Sequence, residues 1–307
     1  MKKKILIFAL SALFLFVVSG CSLNHSKPES AATPDSNKLK VAVSFQAMKG
    51  LTEAIGKDHI TVESVIPDGS EPHNFQPTVK NLMALHNAKL FIYNGFGLEN
   101  AWLNKVTNAA SDNKDLVLVE ASKGGKPLLL NTPEYKGKNV DDPHFWVSIN
   151  GSELEAKNIK DALVKADPKN KADYEKNYQT FYNELESLKK EYSKKFADSK
   201  RKDFVTGHAA FGYLAKDFGL EQKSISDALL SGEPSAKKLK ELTDYCKKNQ
   251  VTTIFVEDMV SPKVSETLAK EVNAKAVKIY TLESSPDKLS YIDALRYDLE
   301  QIYKSLN

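Results

Sequence analysis

One pattern constrains this chain more than any other. Short β-branched runs alternate with helix-patterned runs, and the alternation occurs twice, on either side of a long stretch without glycine or proline. In the first half, 38–45, 60–67, 89–95 and 116–122 read as strands. Helices fall at 47–56, closed by Gly56, around 78–87 and around 98–109. In the second half the strands are 203–208, 222–226, 252–258 and 276–281. The helices there are 209–219, closed by Gly219, then about 235–248, 262–272 and 287–305. Such alternation predicts an α/β fold of two lobes, each with a four-stranded, mainly parallel sheet flanked by helices. At 307 residues the chain is long enough for two cores.

The middle stretch predicts the element that joins them. Ser152 and Glu155 have the spacing of a capping box opening one helix, and Asp167-Pro168 reads as a cap followed by a first-turn proline. From 169 to 196 the residues Tyr174, Tyr178, Phe181, Leu185, Leu188, Tyr192 and Phe196 recur every three or four positions, which puts them on one helix face. A helix of that length spans about 40 Å, a whole domain. Its aromatic stripe reads as core packing, and its length as one long backbone helix joining the lobes.

The first 37 residues carry a different signal. Lys2, Lys3 and Lys4 precede the apolar run Ile5–Val18 and then Ser19-Gly20-Cys21, the order of a secretory leader. The run is shorter than the 20 or so residues of an ordinary membrane span. Residues 22–38 are polar, with Ser, Pro and Asn, and read as a flexible tether. The chain has 43 basic and 40 acidic residues. Loss of the leader's three lysines leaves it formally neutral, against the basic excess of a nucleic-acid binder. Arg201 and Arg296 are its only arginines, and Cys21 and Cys246 its only cysteines, so an arginine clamp, a disulfide framework and a cysteine zinc cluster are all excluded. Cys246 reads as a semi-buried helix residue.

Six histidines remain to be placed. His25 lies in the tether, His59 in a turn and His86 near a helix end, all in ordinary solvated settings. His73 follows the second strand, His144 precedes the connector, and His208 ends the first strand of the second half. Ligands of open α/β sheets bind beyond the carboxyl ends of the strands, so a cleft between lobes would bring His73 and His208 onto one ligand. Three neutral imidazoles suit a borderline ion such as Zn²⁺. Glu257 and Asp258 at one strand end and Glu283 after the last strand are the available fourth ligands, and sequence physics leaves that choice open. No H-E-x-x-H or nucleophile-elbow motif is present, so the chain is not expected to be an enzyme.

The segments Glu71-Pro72-His73-Asn74-Phe75-Gln76-Pro77, Asp142-Pro143-His144-Phe145-Trp146 and Gly207-His208-Ala209-Ala210-Phe211-Gly212-Tyr213-Leu214-Ala215, in this order, carry a specific resemblance. Residues 38–307 resemble the zinc- and manganese-specific substrate-binding proteins of bacterial ABC transporters, cluster A-I, and most of all the zinc members. Val18-Ser19-Gly20-Cys21 likewise resembles a lipobox. The resemblance implies metal ligands His73, His144, His208 and, in the loop after the last strand, Glu283 rather than Glu257. Glu257 is left as a supporting carboxylate. Manganese members usually have Glu at the third position, so His208 favours Zn²⁺ over Mn²⁺. The resemblance implies capture of Zn²⁺ and delivery to an ABC permease and its ATPase. The receptor is expected as a monomer held by lipid on Cys21 at the outer face of a Gram-positive cell membrane. The alternatives are a manganese receptor of the same family or a zinc-binding surface adhesin. The expected divisions are 1–20 signal peptide, 21–37 tether, 38–150 N-terminal lobe, 151–200 connector helices and 201–307 C-terminal lobe. Three departures stand out: Gln76 replaces a common acid, Val147-Ser148-Ile149 replaces the usual Leu-Asp-Pro, and 123–143 contains no histidine where many zinc members carry a His-rich loop.

Overall fold

The structure is a computed structural model, and it describes residues 38–130, 135–257, 259 and 261–307. The leader, Cys21, His25, most of the tether and Asp258 lie outside the described residues. The first half contains β1 (Leu39–Val43), α1 (Gln46–Gly56), β2 (Ile60–Ser64), α2 (Val79–His86), β3 (Leu90–Tyr93), α3 (Leu103–Ala109) and β4 (Val117–Glu120). The connector is α4 (Ile149–Ala166) and the 27-residue α5 (Lys171–Ala197). The second half contains β5 (Asp203–Thr206), α6 (Gly212–Phe218), β6 (Glu221–Ser224), α7 (Ala236–Lys248), β7 (Thr253–Glu257), α8 (Pro262–Glu271), β8 (Lys275–Ile279) and α9 (Tyr291–Ser305).

The sheets are ordered β2-β1-β3-β4 and β6-β5-β7-β8, and every strand pair is parallel. Both lobes expected from the alternation are therefore present, with one topology used twice. In each, the chain leaves the first strand one way and returns on its other side, which opens a crevice at the carboxyl ends. Those ends carry the loops that hold His73 and His208.

The aromatic stripe of α5 is core. Tyr174, Phe181, Leu185, Leu188, Tyr192 and Phe196 are buried, and Tyr178 packs beside them. They belong to one apolar cluster that runs from Val43 and Phe91 of the first sheet, through α1, α4, α5 and α9, to Phe204, Phe255 and Ile279 of the second. Each such side chain contributes about 1.5–3 kcal/mol by burial. Strand pleating divides the second lobe: Phe204 and Phe255 face this shared core, while their neighbours Val205 and Ile254 face a smaller cluster with Leu242, Cys246 and Leu268. Cys246 is thus fully buried rather than semi-buried.

One local expectation is corrected. Ser152 does not open a helix. α4 begins at Ile149 because the Ser148 hydroxyl accepts from the Gly151 amide, and Ser152, one turn in, donates its hydroxyl to the Ser148 carbonyl at 2.7 Å. Glu155 is buried in that helix instead of capping it. Gly56 is the last residue of α1, as expected. It is right-handed (φ −80°), and Lys57 takes the positive φ of 43°. Gly56 is there for space, since an added Cβ would lie 2.1 Å from the Ile60 side chain. Gly219, which follows α6, takes the left-handed conformation itself, at φ 64°.

Candidate metal centre

Four side chains from four loops meet where the carboxyl edges of the two sheets face each other. His73 lies on the loop after β2. Glu71 stiffens that loop, accepting from the backbone amides of His73 (2.7 Å) and Asn74 (2.9 Å). The His73 ring is 2% exposed. Its Nε2 lies 3.0 Å from Glu283 Oε1 and 3.1 Å from His144 Nε2.

His144 is fixed by Asp142. One carboxylate oxygen, Oδ1, accepts from the His144 backbone amide (3.0 Å) and from ring Nδ1 (2.8 Å). This protonates Nδ1 and turns the Nε2 lone pair inward, the arrangement by which carboxylates orient metal-binding imidazoles. Asp142 is itself held: its carbonyl accepts from the Tyr213 hydroxyl of α6 at 2.7 Å. Burial opposes charge on His144, but the Asp142 and Glu283 carboxylates outweigh it and raise the imidazole to about 9.

His208 is turned the other way. Its backbone amide donates to Glu257 Oε1 (2.9 Å) and its Nε2 to the Ala228 carbonyl (3.0 Å), which leaves Nδ1 without a partner among the described residues. Burial, and then the positive charge on His144, outweighs the Glu283 carboxylate and lowers it to about 4. Glu283 follows β8 in a loop where Leu282 takes φ 61°. Its second oxygen accepts from the Thr281 hydroxyl at 2.9 Å. Burial would raise this carboxyl, but the His144 and His73 contacts hold it well below the carboxylate range.

The ring centroids are 4.8–5.3 Å apart in all three pairs. One ligand atom from each of His73, His144, His208 and Glu283 lies within 4.8 Å of the other three. A tetrahedral zinc with Zn–N of about 2.0–2.1 Å needs ligand separations of about 3.3–3.4 Å. The contacts of His73, His144 and Glu283, at 3.0, 3.1 and 3.4 Å, are already near that spacing.

The remaining candidates lie elsewhere. His59 pairs with Asp173 of α5 at 2.8 Å on the surface, and His86 ends α2 in solvent. Glu257 ends β7 and is outside the four-donor cluster. Burial pushes it up to about 8, so it is mainly neutral near pH 7. Gln76, the departure near His73, faces out and accepts from Lys105 at 3.1 Å. Asp142 was not singled out from the sequence. An Asp two residues before a His is the local signal, because an Asp side chain readily bonds the amide two positions on. Trp146 was also missed as a brace: its indole donates to the Thr281 carbonyl at 2.7 Å, tying the turn before α4 to the Glu283 loop.

Twin parallel sheets, a long α-helical spine and a buried set of donors between the lobes define the class of two-lobed substrate-binding proteins that serve metal ABC transporters. The chain belongs to the family described as zinc-uptake complex component A, periplasmic, whose family model matches residues 41–305. It is 39% identical over 300 residues to a putative metal-binding protein of Treponema pallidum, covering 95% of this chain and 93% of that one. It is 35% identical over 310 residues to the high-affinity zinc uptake system protein ZnuA of Bacillus subtilis, covering 95% and 97%. Among solved structures, the laminin-binding protein Lmb of Streptococcus agalactiae, described as having adhesin and metal-transporting activity, superposes with a TM-score of 0.79. It shares 36% identity over 88% of this chain and all of that one. A zinc-bound ZnuA deletion mutant gives 0.77 at 30% identity, over 88% of this chain and 98% of that one. Among the described residues no helix is long and apolar enough to cross a membrane.

Proposed function

We propose that this chain is an extracytoplasmic zinc receptor that takes up Zn²⁺ between its lobes and hands it to an ABC permease and its ATPase. His73, His144, His208 and Glu283 hold the ion. The observation that carries this reading is the convergence of three imidazoles and one carboxylate from both lobes, with ligand atoms within 4.8 Å of one another. Three nitrogen donors and one oxygen suit Zn²⁺ better than Mn²⁺, which prefers carboxylates. One carboxylate leaves the loaded site at a net charge of about +1. Four protein ligands close the tetrahedron, whereas catalytic zinc keeps a position for water, so the site binds and does not catalyse.

Capture displaces protons. Zinc takes the inward imidazole lone pairs and the Glu283 oxygen, and His144 keeps its proton up to about 9 in the metal-free protein, so uptake weakens as pH falls below that value. Residues 1–20 are a lipoprotein signal peptide, and Cys21 carries the lipid that holds the receptor, as a monomer, at the outer face of a Gram-positive cell membrane. Residues 21–37 tether a first lobe (38–150), connector helices (151–200) and a second lobe (201–307). Stable anchoring by acyl chains takes about two of them.

Metal-competition calorimetry on the chain without residues 1–21 tests this reading. One tight zinc site is expected, with Mn²⁺ much weaker. Each of His73→Ala, His144→Ala and His208→Ala should weaken zinc strongly, and tight binding that survives all three refutes the assignment. A second reading, a zinc-binding surface adhesin, is favoured by the likeness to the Streptococcus agalactiae protein. It predicts binding to immobilised laminin and normal growth of a deletion strain under zinc chelation.

A further inference from the structure

Glu283 is flanked, two residues to either side, by a hydrogen bond from the first half of the chain. On the inner side the buried Trp146 indole donates to the Thr281 carbonyl at 2.7 Å. On the outer side the exposed Asp68 carboxylate accepts from the Ser285 backbone amide at 2.8 Å, across 217 positions of sequence. Asp68 begins the loop that presents His73, and the Ser285 hydroxyl and Gly69 amide also bond it. Asp68 therefore ties the His73 loop to the Glu283 loop through Ser285, without using any donor of the metal centre.

We propose that Asp68 is a positioning residue that latches the Glu283 loop over a bound zinc ion and sets how fast the ion leaves. The claim rests on the zinc-receptor reading and goes beyond it. The two flanking bonds differ in how they open. Breaking the Trp146 bond strands an indole N–H in a dry interior, which is costly. Breaking the Asp68 bond exposes both groups to water, which replaces the lost partners. The loop is also anchored to its own lobe, with Asp287 accepting from Lys278 (2.9 Å) and from the Tyr280 hydroxyl (2.6 Å). The segment from Leu282 to Asp287, with positive φ at both ends, can therefore lift at its outer side while its ends stay put. Lifting it draws the Glu283 oxygen away from His73 and His144. Zinc then loses its one charged ligand.

The latch acts on departure, because Glu283 lifts from a seated ion only once the Asp68–Ser285 bond has opened. Stopped-flow transfer of zinc from the loaded protein to a chelating dye measures the release rate. Asp68→Ala is expected to release zinc about three- to tenfold faster, with unchanged association and an unchanged melting temperature of the metal-free protein. Asp68→Asn keeps an oxygen to accept the Ser285 amide and is expected to stay within about twofold of the parent. Release by Asp68→Ala at the parental rate overturns the latch alone. Release by Asp68→Asn as fast as by Asp68→Ala also overturns it, since charge near the site and not the bond would then be responsible. A parent chain that takes up no zinc overturns both the latch and the receptor reading.

Discussion

The ends of β7 and β8 invite comparison. Both carry a glutamate into the interior at the same sheet edge, Glu257 at 2% exposure and Glu283 at 1%. Burial disfavours charge on both. Yet Glu283 is held well below the carboxylate range while Glu257 is pushed up to about 8. The difference lies in what faces each oxygen. Glu283 meets two imidazoles, which supply charge-assisted hydrogen bonds. Glu257 meets the His208 backbone amide through one oxygen, and its other oxygen has no partner among the described residues. Burial therefore does not decide which acid is available to a cation. One acid stays an anion next to the ligand atoms, and the other is a neutral prop that holds the His208 backbone.

The comparison breaks most visibly at Glu283. Glu283→Gln keeps the shape and removes the charge, and is expected to weaken zinc by more than about 100-fold, the upper end of what loss of a supporting residue costs. Competition against a chelator of known strength measures it, and a loss under tenfold would equate the two glutamates. Asp142→Ala, which frees the His144 ring, comes next at about 10- to 100-fold in the same assay. A third experiment exploits the opposite signs of the two shifts in the metal-free protein. Glu257 keeps its proton in the fold up to about 8 but loses it near the ordinary carboxyl value when unfolded. The folded state therefore binds more protons in that window, and Glu257 lowers stability as pH rises through it. Denaturant melts of Glu257→Gln should show a shallower fall in stability from about pH 4.5 to about pH 8 than the parent does. Glu99, raised to about 7 mainly by its burial, leaves part of that slope in both proteins. Glu283 works the other way: its stabilisation is present above the ordinary carboxyl value and is lost as pH falls into the acid range. The smallest effect expected is that of Glu257→Gln on zinc affinity at pH 7, within about threefold, because the amide oxygen can still accept from His208.

The difference between these acids is also where sequence reading stopped. Strand and helix alternation reported two sheets, and the three- and four-residue spacing from Tyr174 to Phe196 reported the spine, because both are periodic signals that burial writes directly into side-chain type. His73, His144 and His208 were legible as residues at strand ends in unusual local settings. Glu257 and Glu283 were not separable that way. Glu257 is the last residue of its strand, so the pleat aims it at the His208 backbone. Glu283 lies four residues beyond β8, and its direction depends on the positive φ at Leu282, which a leucine does not advertise. The resemblance to known receptors, not residue chemistry, selected Glu283. The misplaced helix start at Ser152 had a similar origin: Ser148 satisfies the cap one turn earlier, and local spacing could not rank the two serines.

The apolar cluster that spans both sheets has a consequence for how a membrane transporter would recognise a loaded receptor. Phe204, Phe255 and Ile279 of the second lobe share an interior with Val43, Met48 and Phe91 of the first. Swinging the halves apart as a clamshell would wet that interior, at about 25 cal/mol for each Å² of apolar surface exposed. A wide-open empty form is thereby disfavoured, and the outline of the filled and empty molecules stays nearly the same. A difference between the filled and empty molecules then falls to the rim loops that carry His73 and Glu283 rather than to a change of silhouette.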